Sequence, residues 1–559
     1  MHHFQKLSPS LKPTSADTAR QLRLFFWALS VVLGGVCAWL SRFQMSPDGV
    51  SYLDIGDAFW HGHWGSLANA YWSPLYPLIL GCFMNAFRPS VLWEYPLVRL
   101  VNFVIFLGAA ACFEFLLTAA LEELPPKGAL LSKLWHELLG YSIFLSTTLV
   151  LITVTAPTPD MLVAAFVFVI AGIGFRLYRN PDNQKLAYSF GIALGLGYYA
   201  KTILLPVGIA FFLTLLAAQR VHRKNLLTAG IMFFLMTLFL VSAISRQKHR
   251  VTIGESGRWN YLVLFNHVNP FFPVGGIHQA KKIPDVLPIY DFRGTIPGTY
   301  PVWYDPSYWE DGIRPHWNAP ELLNRFKHAL IACIPIFILP NLELSLVLGF
   351  IAFAALGLSI PIRMPLLLML IPSAAALCAY TVLVVEFRYL APFLCLIWIG
   401  LFFGFDIDDR RITKVVIAFM VAANIGSVIW LLPNLAKTNN RFYREIPAAI
   451  ELHQHGLRSG DKIALISREA GVVAGQGMYI PRLAKLQIIC ELIDPDKFLA
   501  TSHIKQAEVL SKLESTGAKA ALLLPDRTMP DSSWLPLDKS GYFFKPLVVN
   551  GKDQERTKQ

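Results

Sequence analysis

Eleven apolar runs, each close to the length of a bilayer crossing, dominate this chain. They fall near 22–40, 97–119, 138–156, 159–177, 186–200, 202–219, 225–244, 343–361, 365–385, 389–405 and 412–432. A run of roughly 17–25 apolar residues spans the hydrocarbon core as a helix. Lipid offers the backbone no hydrogen-bond partner, so each run must satisfy its own peptide groups. The expected fold is an α-helical polytopic membrane protein with about eleven transmembrane helices. Charge agrees: 15% of the 559 residues are Asp, Glu, Lys or Arg, against about 25% in soluble domains.

The formal net charge is +12. In a soluble protein that excess would suggest nucleic acid. Here the basic residues gather in short loops, which excludes nucleic acid and sets the orientation instead. Lys6, Lys12, Arg20 and Arg23 precede the first run, and Arg176, Arg179 and Lys185 flank a later loop. Arg220, His222, Arg223 and Lys224 fill another, and Arg410, Arg411 and Lys414 mark a fourth. Placing all of them in the cytoplasm puts the loops 41–96 and 245–327, and everything after 433, on the outer face. The setting implied is a membrane crossed many times, with the candidate loops on its outer face. The basic N-terminus followed by an apolar run shows no small-residue cleavage site, so it reads as a retained first span.

Parity makes Ser73–Phe87, apolar but short, a re-entrant or interfacial helix on the outer face. Pro335 and Pro340 are expected to interrupt the helix pattern of 328–361, leaving one full span and one partial segment. The organisation read from these signals is a cytoplasmic tail 1–21, a membrane domain 22–433, an outer α/β domain 440–550 and a disordered tail 551–559. In the α/β domain, Gly460–Ile466 and Gly517–Leu524 read as strands entered from glycine, and Thr501–Glu514 as an amphipathic helix. No GxGxxG loop accompanies them, so dinucleotide binding is not expected. Six of the seven cysteines lie in apolar runs without CxxC or Cys/His spacing, which supports neither a zinc site nor a disulfide framework.

The candidate chemistry lies at the outer ends of spans. Asp48, in Pro47-Asp48-Gly49, follows the first run. It reads either as a helix cap or as a general base that takes a proton from an acceptor hydroxyl. Asp54 and Asp57 share one helix face and read as solvated. Asp160 begins a span: it is a helix cap favoured by the dipole, or an ionisable group kept at membrane depth for function. Lys201 breaks a long apolar stretch, and Arg388 opens another span. Each either snorkels to the interface or holds a phosphate. Tyr52, Tyr71, Trp72 and Tyr76 follow Asp48 in the same outer loop and are candidates for contacting substrate. Asp48 and Asp160 together could bind a divalent cation or divide base and orienting roles; whether a metal takes part is left open. The 245–327 loop carries nine Trp and Tyr residues, Trp303 among them, read mainly as its own core. Its His267, His278 and His316 lack metal-ligand spacing.

These residues resemble the GT-C superfamily of polytopic glycosyltransferases. The likeness is to bacterial aminoarabinose lipid A transferases, protein mannosyltransferases and galacturonosyltransferases. Asp48 in Pro47-Asp48-Gly49-Val50-Ser51-Tyr52 matches the family's aspartate in the first outer loop. Trp72-Ser73-Pro74-Leu75-Tyr76-Pro77 is similar to its proline-rich segment, Pro159-Asp160 to its second acidic position, and Lys201 and Arg388-Tyr389 to its basic positions. The adjacent Asp-Glu pair of the protein mannosyltransferases is absent. The resemblance implies a polyprenyl-phosphate-sugar donor and an inverting transfer to a cell-envelope lipid, glycan or protein acceptor. Asp48 would then activate the acceptor, and Lys201 and Arg388, or a metal ion, would stabilise the departing lipid phosphate. Two other readings stand beside it: a transporter, and a lipid-phosphate phosphotransferase or ligase, whose phosphate-binding residues would look alike. The chain shows no internal repeat, and its polar groups sit at span ends rather than mid-membrane, which disfavours the transporter.

Overall fold

The structure, a computed structural model, describes residues 15–123, 130–283, 287–294, 296–339, 343–358, 360, 363–405, 411–468, 477–525 and 527–547. Lys6, Lys12, Pro340, Arg410 and the tail 551–559 lie outside them.

The helices in chain order are α1 (Ser15–Leu40), α2 (Pro47–Trp60), α3 (Leu75–Phe87), α4 (Glu94–Glu123), α5 (Leu130–Ser146), α6 (Asp160–Arg179) and α7 (Gln184–Ala200). Next come α8 (Leu204–Ala217), α9 (Arg223–Lys248), α10 (Ser256–Phe265), α11 (Pro301–Tyr304), α12 (Pro306–Trp309) and α13 (Ala319–Ile338). The series ends with α14 (Leu344–Ala355), α15 (Met364–Leu383), α16 (Phe387–Gly404), α17 (Arg411–Tyr443), α18 (Glu445–Gln454), α19 (Tyr479–Leu483), α20 (Pro495–Leu499) and α21 (His503–Ser515). Each expected span has a helix. Eight of the described helices are long and apolar enough to cross a membrane. Three others at expected positions, α7, α8 and α14, have 17, 14 and 12 residues.

The chain's own order gives the bundle two ends. α6 starts at Asp160 and finishes at Arg179, which pairs with Glu122 at the end of α4. α8 runs from beside Lys201 down to the basic loop 220–224, and α9 returns. Asp160, Lys201 and Arg388 therefore share one end, and the basic loops lie at the other. Pro335 departs from expectation, since α13 continues through it. The ring sits in the last turn, where its own carbonyl still accepts from Leu339 at 3.0 Å, so the interruption costs little of the helix.

α2 and α3 cross with backbone close to backbone at two glycines. A Cβ on Gly56 would lie 2.5 Å from the Pro77 carbonyl, and one on Gly81 would lie 2.8 Å from the Gly56 carbonyl. Two glycines are what allow this approach.

Above that end sits one mixed sheet of seven strands: β1 (Lys281–Ile283), β2 (Ile289–Asp291), β3 (Lys462–Ser467), β4 (Gln487–Ile493), β5 (Ala520–Leu523), β6 (Leu535–Leu537) and β7 (Tyr542–Pro546). Their order is β1-β2-β4-β3-β5-β7-β6. β3 is parallel to β4 and β5, with Ile463 opposite Ala520 and Leu465 opposite Leu522. It is buried on both faces, as a continuous apolar strand should be. The two expected strands are β3 and β5. The sheet is nevertheless not confined to 440–550, because β1 and β2 come from the 245–327 loop and pair through β4. Pairing partners about 200 residues apart leave no local trace in sequence.

Candidate active site

Three local structures bring the candidate groups together. The first is the start of α2. Ser46 caps it, its hydroxyl accepting from Gly49 N at 3.1 Å, and Pro47 opens the helix. Asp48 is therefore in the first turn and is not the cap. The second is the loop before α6. Asn102 of α4 donates to the carbonyls of Val154 and Ala156 at 3.1 and 3.0 Å, which fixes the approach to Pro159 and Asp160. This loop presses on α2, where a Cβ on Gly49 would lie 2.5 Å from Pro157 Cγ. The third is the pair of helix ends at Lys201, which terminates α7, and Arg388, which lies in the first turn of α16.

The charges then meet. Lys201 Nζ lies 2.7 Å from Asp160 Oδ1, and Thr158 Oγ1 donates to Asp160 Oδ2 at 2.8 Å. Lys201 also sits 3.3 Å over the Tyr389 ring. Arg388 stands between the two acids, Nη2 at 3.7 Å from Asp48 and Nε at 3.6 Å from Asp160. Neither separation is a hydrogen bond; Nη2 donates to Tyr389 Oη at 3.3 Å, and the guanidinium's other donors remain for an incoming anion. Asp48 is a quarter exposed, and its Oδ1 accepts from Trp303 Nε1 at 3.1 Å.

All four groups line a cavity of about 250 Å³. Tyr52, Tyr71 and Trp72 line it too, with Tyr380 and Tyr389. Tyr52 is buried, and burial followed by the Asp48 charge raises its hydroxyl well above the ordinary range, so it remains a neutral donor. Tyr76 is not in the cavity wall. It is fully buried, its Oη donates to Asn102 Oδ1 at 2.7 Å, and its ring meets Tyr52 edge-on at 5.1 Å. Its place is to hold the residue that holds the Asp160 loop.

The expectation of a solvated Asp54 is overturned. Asp54 is 7% exposed. It accepts from Thr299 N at 2.7 Å and from Thr299 Oγ1 at 3.0 Å, and pairs with Arg482 at 2.6 Å. Arg482, on α19, also reaches Asp57 at 2.6 Å and Glu94 at 2.7 Å. Trp303 and Arg482 are the residues whose roles sequence reasoning missed. Trp303 is 255 positions from Asp48, and nothing local distinguishes it from its aromatic neighbours.

A divalent ion does not suit this arrangement. Arg388 occupies the space between the two carboxylates, and Lys201 already engages Asp160. Among the described residues no group of three or more His, Cys, Asp or Glu is gathered to hold an ion.

No family model matches the chain, and no curated protein matches it in sequence. In shape, two solved structures of ArnT from Cupriavidus metallidurans are similar over 95% of this chain and 99% of theirs. The apo form gives a TM-score of 0.55 at 11% identity. The form bound to undecaprenyl phosphate gives 0.55 at 13%. The chain is a multi-pass helical protein similar in fold to ArnT.

Proposed function

We propose that this protein is a membrane glycosyltransferase. It would move a sugar from a polyprenyl-phosphate-linked donor to a hydroxyl of a cell-envelope acceptor, at the outer face of a bacterial plasma membrane. The observation that carries the reading is Arg388, poised between Asp48 and Asp160 at distances too long for hydrogen bonds, in the wall of a cavity at the bundle's end. A guanidinium so placed suits the oxygens of a lipid phosphate. The ArnT structure holding undecaprenyl phosphate supports the same class of donor.

In this reading Asp48 takes the acceptor hydroxyl's proton while that oxygen attacks the sugar's anomeric carbon. The bond from that carbon to the phosphate oxygen breaks, and polyprenyl phosphate leaves with the electron pair. Its growing negative charge is met by Arg388 and by Lys201, held in place beforehand by Asp160 and Tyr389. Attack from the face opposite the leaving phosphate inverts the anomeric centre. Trp303 fixes one oxygen of Asp48, leaving the other, which faces Arg388 at 3.7 Å, to take the proton.

Membranes containing the protein, given radiolabelled polyprenyl-phosphate sugars and native envelope acceptors, test this directly. Transfer by wild type that falls about 10²- to 10⁴-fold in Asp48→Asn at equal protein level is expected. Transfer that survives the change would remove Asp48 from the role, and no transfer with any donor would sink the reading.

A further inference from the structure

A second cavity, sharing no lining residue with the first, opens at the same end of the bundle between the end of α1, the end of α3 and the start of α4. It is a groove of about 650 Å³. Its walls include Trp39, Phe87 and Trp93, which are 59%, 65% and 54% exposed. Three arginines line it, Arg42, Arg88 and Arg99, and no carboxylate does. Among the described residues none of the three forms an ion pair; the nearby Glu94 is taken by Arg482 and Lys485.

Arg99 is the informative one. It is 1% exposed. Its Nε donates to the Ser41 carbonyl at 3.0 Å and its Nη2 to the Gln44 carbonyl, while Nη1 is buried without a hydrogen-bond partner. A guanidinium carries five donors and a full charge, and burying it with neither a counter-charge nor a complete set of acceptors is costly. An anion in the groove would supply both. Arg42 lies at the rim, donating to the Trp39 carbonyl at 2.9 Å and stacked 4.3 Å from the Trp39 ring. Arg88 closes the end of α3 in a left-handed turn.

We propose that this groove binds an anionic, phosphate-bearing lipid of the surrounding membrane, separately from the catalytic cavity and whatever reaction occurs there. The phosphate is recognised by Arg99 Nη1 with Arg42 and Arg88, whose three positive charges more than balance the charge of about −2 on a phosphomonoester. The exposed aromatic faces of α1, α3 and α4 take the acyl chains, which is why the occupant is a lipid and not free phosphate. Because Arg99 also holds the Ser41–Gln44 turn just ahead of Asp48, an occupied groove stiffens the segment that carries the start of α2.

The test uses the full-length protein in nanodiscs and reads tryptophan fluorescence, as the difference between wild type and Trp39→Phe/Trp93→Phe. The probes are phosphatidic acid and phosphatidylcholine, each brominated in the acyl chains. Phosphatidic acid should quench this difference signal at about tenfold lower mole fraction than phosphatidylcholine. Arg42→Gln/Arg88→Gln should abolish that preference, and Gly35→Phe should block quenching by placing a ring in the groove. Arg99→Gln is the obvious variant, but it also releases the Ser41 and Gln44 carbonyls, so the rim pair and Gly35→Phe are the deciding changes. Equal quenching by the two lipids, or an undiminished preference in the rim variant, would overturn the proposal. Millimolar inorganic phosphate that relieves quenching would also overturn it, by assigning the arginines to a free anion.

Discussion

Arg482 Nη1 donates to Asp54 Oδ1 at 2.6 Å, joining α19 of the C-terminal region to α2, the helix that carries Asp48 in its first turn. The same guanidinium takes Asp57 and Glu94, and Lys485 adds to Glu94 at 2.6 Å. Arg482 and Asp54 are almost wholly buried. Removing one partner strands the others as uncompensated charges, at about 3–5 kcal/mol. Arg482→Leu should therefore destabilise the protein by that amount and lower transfer activity even where folded protein remains. Denaturation in detergent checks it: a loss under about 1 kcal/mol would mean the charges relax into water.

The α2–α3 crossing is the second sensitive point. Gly56→Ala puts a methyl 2.5 Å from a carbonyl oxygen and 3.0 Å from Gly81 Cα. Backbone cannot rotate away as a side chain can, so the helices must separate. We expect a cost of about 1–3 kcal/mol and a thermal midpoint below that of wild type. Gly108→Ala, with open space around it, is the control and should be neutral.

The legibility of this molecule divides along the range of the interactions. Apolar runs and basic loops are local signals, and they place the spans and bring Asp48, Asp160, Lys201 and Arg388 to one end. Helix caps are local too, yet the motif alone could not separate Asp48 as cap from Asp48 as site, because Ser46 takes the capping role only in three dimensions. Trp303 on Asp48, Thr299 on Asp54 and Arg482 on the α2 carboxylates are all more than 200 residues from their partners. No periodicity records such pairings. Asp54 and Asp57 three apart on a helix look solvated until the element that covers them is known.

Glu310 should give stability a pH dependence. It is 2% exposed, and its Oε1 pairs with Arg258 at 3.0 Å while Oε2 is buried without a partner. Burial pushes its carboxyl up to about 8, against the opposing pull of Arg258. An acid whose folded pKa exceeds its unfolded value, about 4.3, favours the folded state fully at low pH. That contribution is lost as pH rises toward the folded pKa. Wild type should thus lose stability between about pH 6 and about pH 8, and Glu310→Gln should lose less. Parallel melting curves across that range would sink the assignment.

Arg388 tests whether geometry or charge matters at the phosphate position. Arg388→Gln removes both and should lower kcat about 10²- to 10³-fold. Arg388→Lys keeps the charge but loses the planar fork that spans from Asp48 to Asp160. If the fork is what meets the departing phosphate, lysine should restore little of the loss. Recovery to near wild-type kcat would reduce the role to a point charge.

Trp303 is expected to act only through Asp48. Its indole N–H, 3.1 Å from Asp48 Oδ1, holds the carboxylate in one rotamer, and a hydrogen bond to a charged group is worth about 1.5–3 kcal/mol. Trp303→Phe keeps the ring among Tyr71, Trp72 and Trp259 and removes just the donor. The loss should appear in kcat, about ten- to a hundredfold, with KM nearly unchanged, because a misoriented base does not weaken substrate binding. In an Asp48→Asn background the same change should have almost no further effect, since the group it positions is already gone. Additive losses in the double variant would show instead that Trp303 touches the substrate itself.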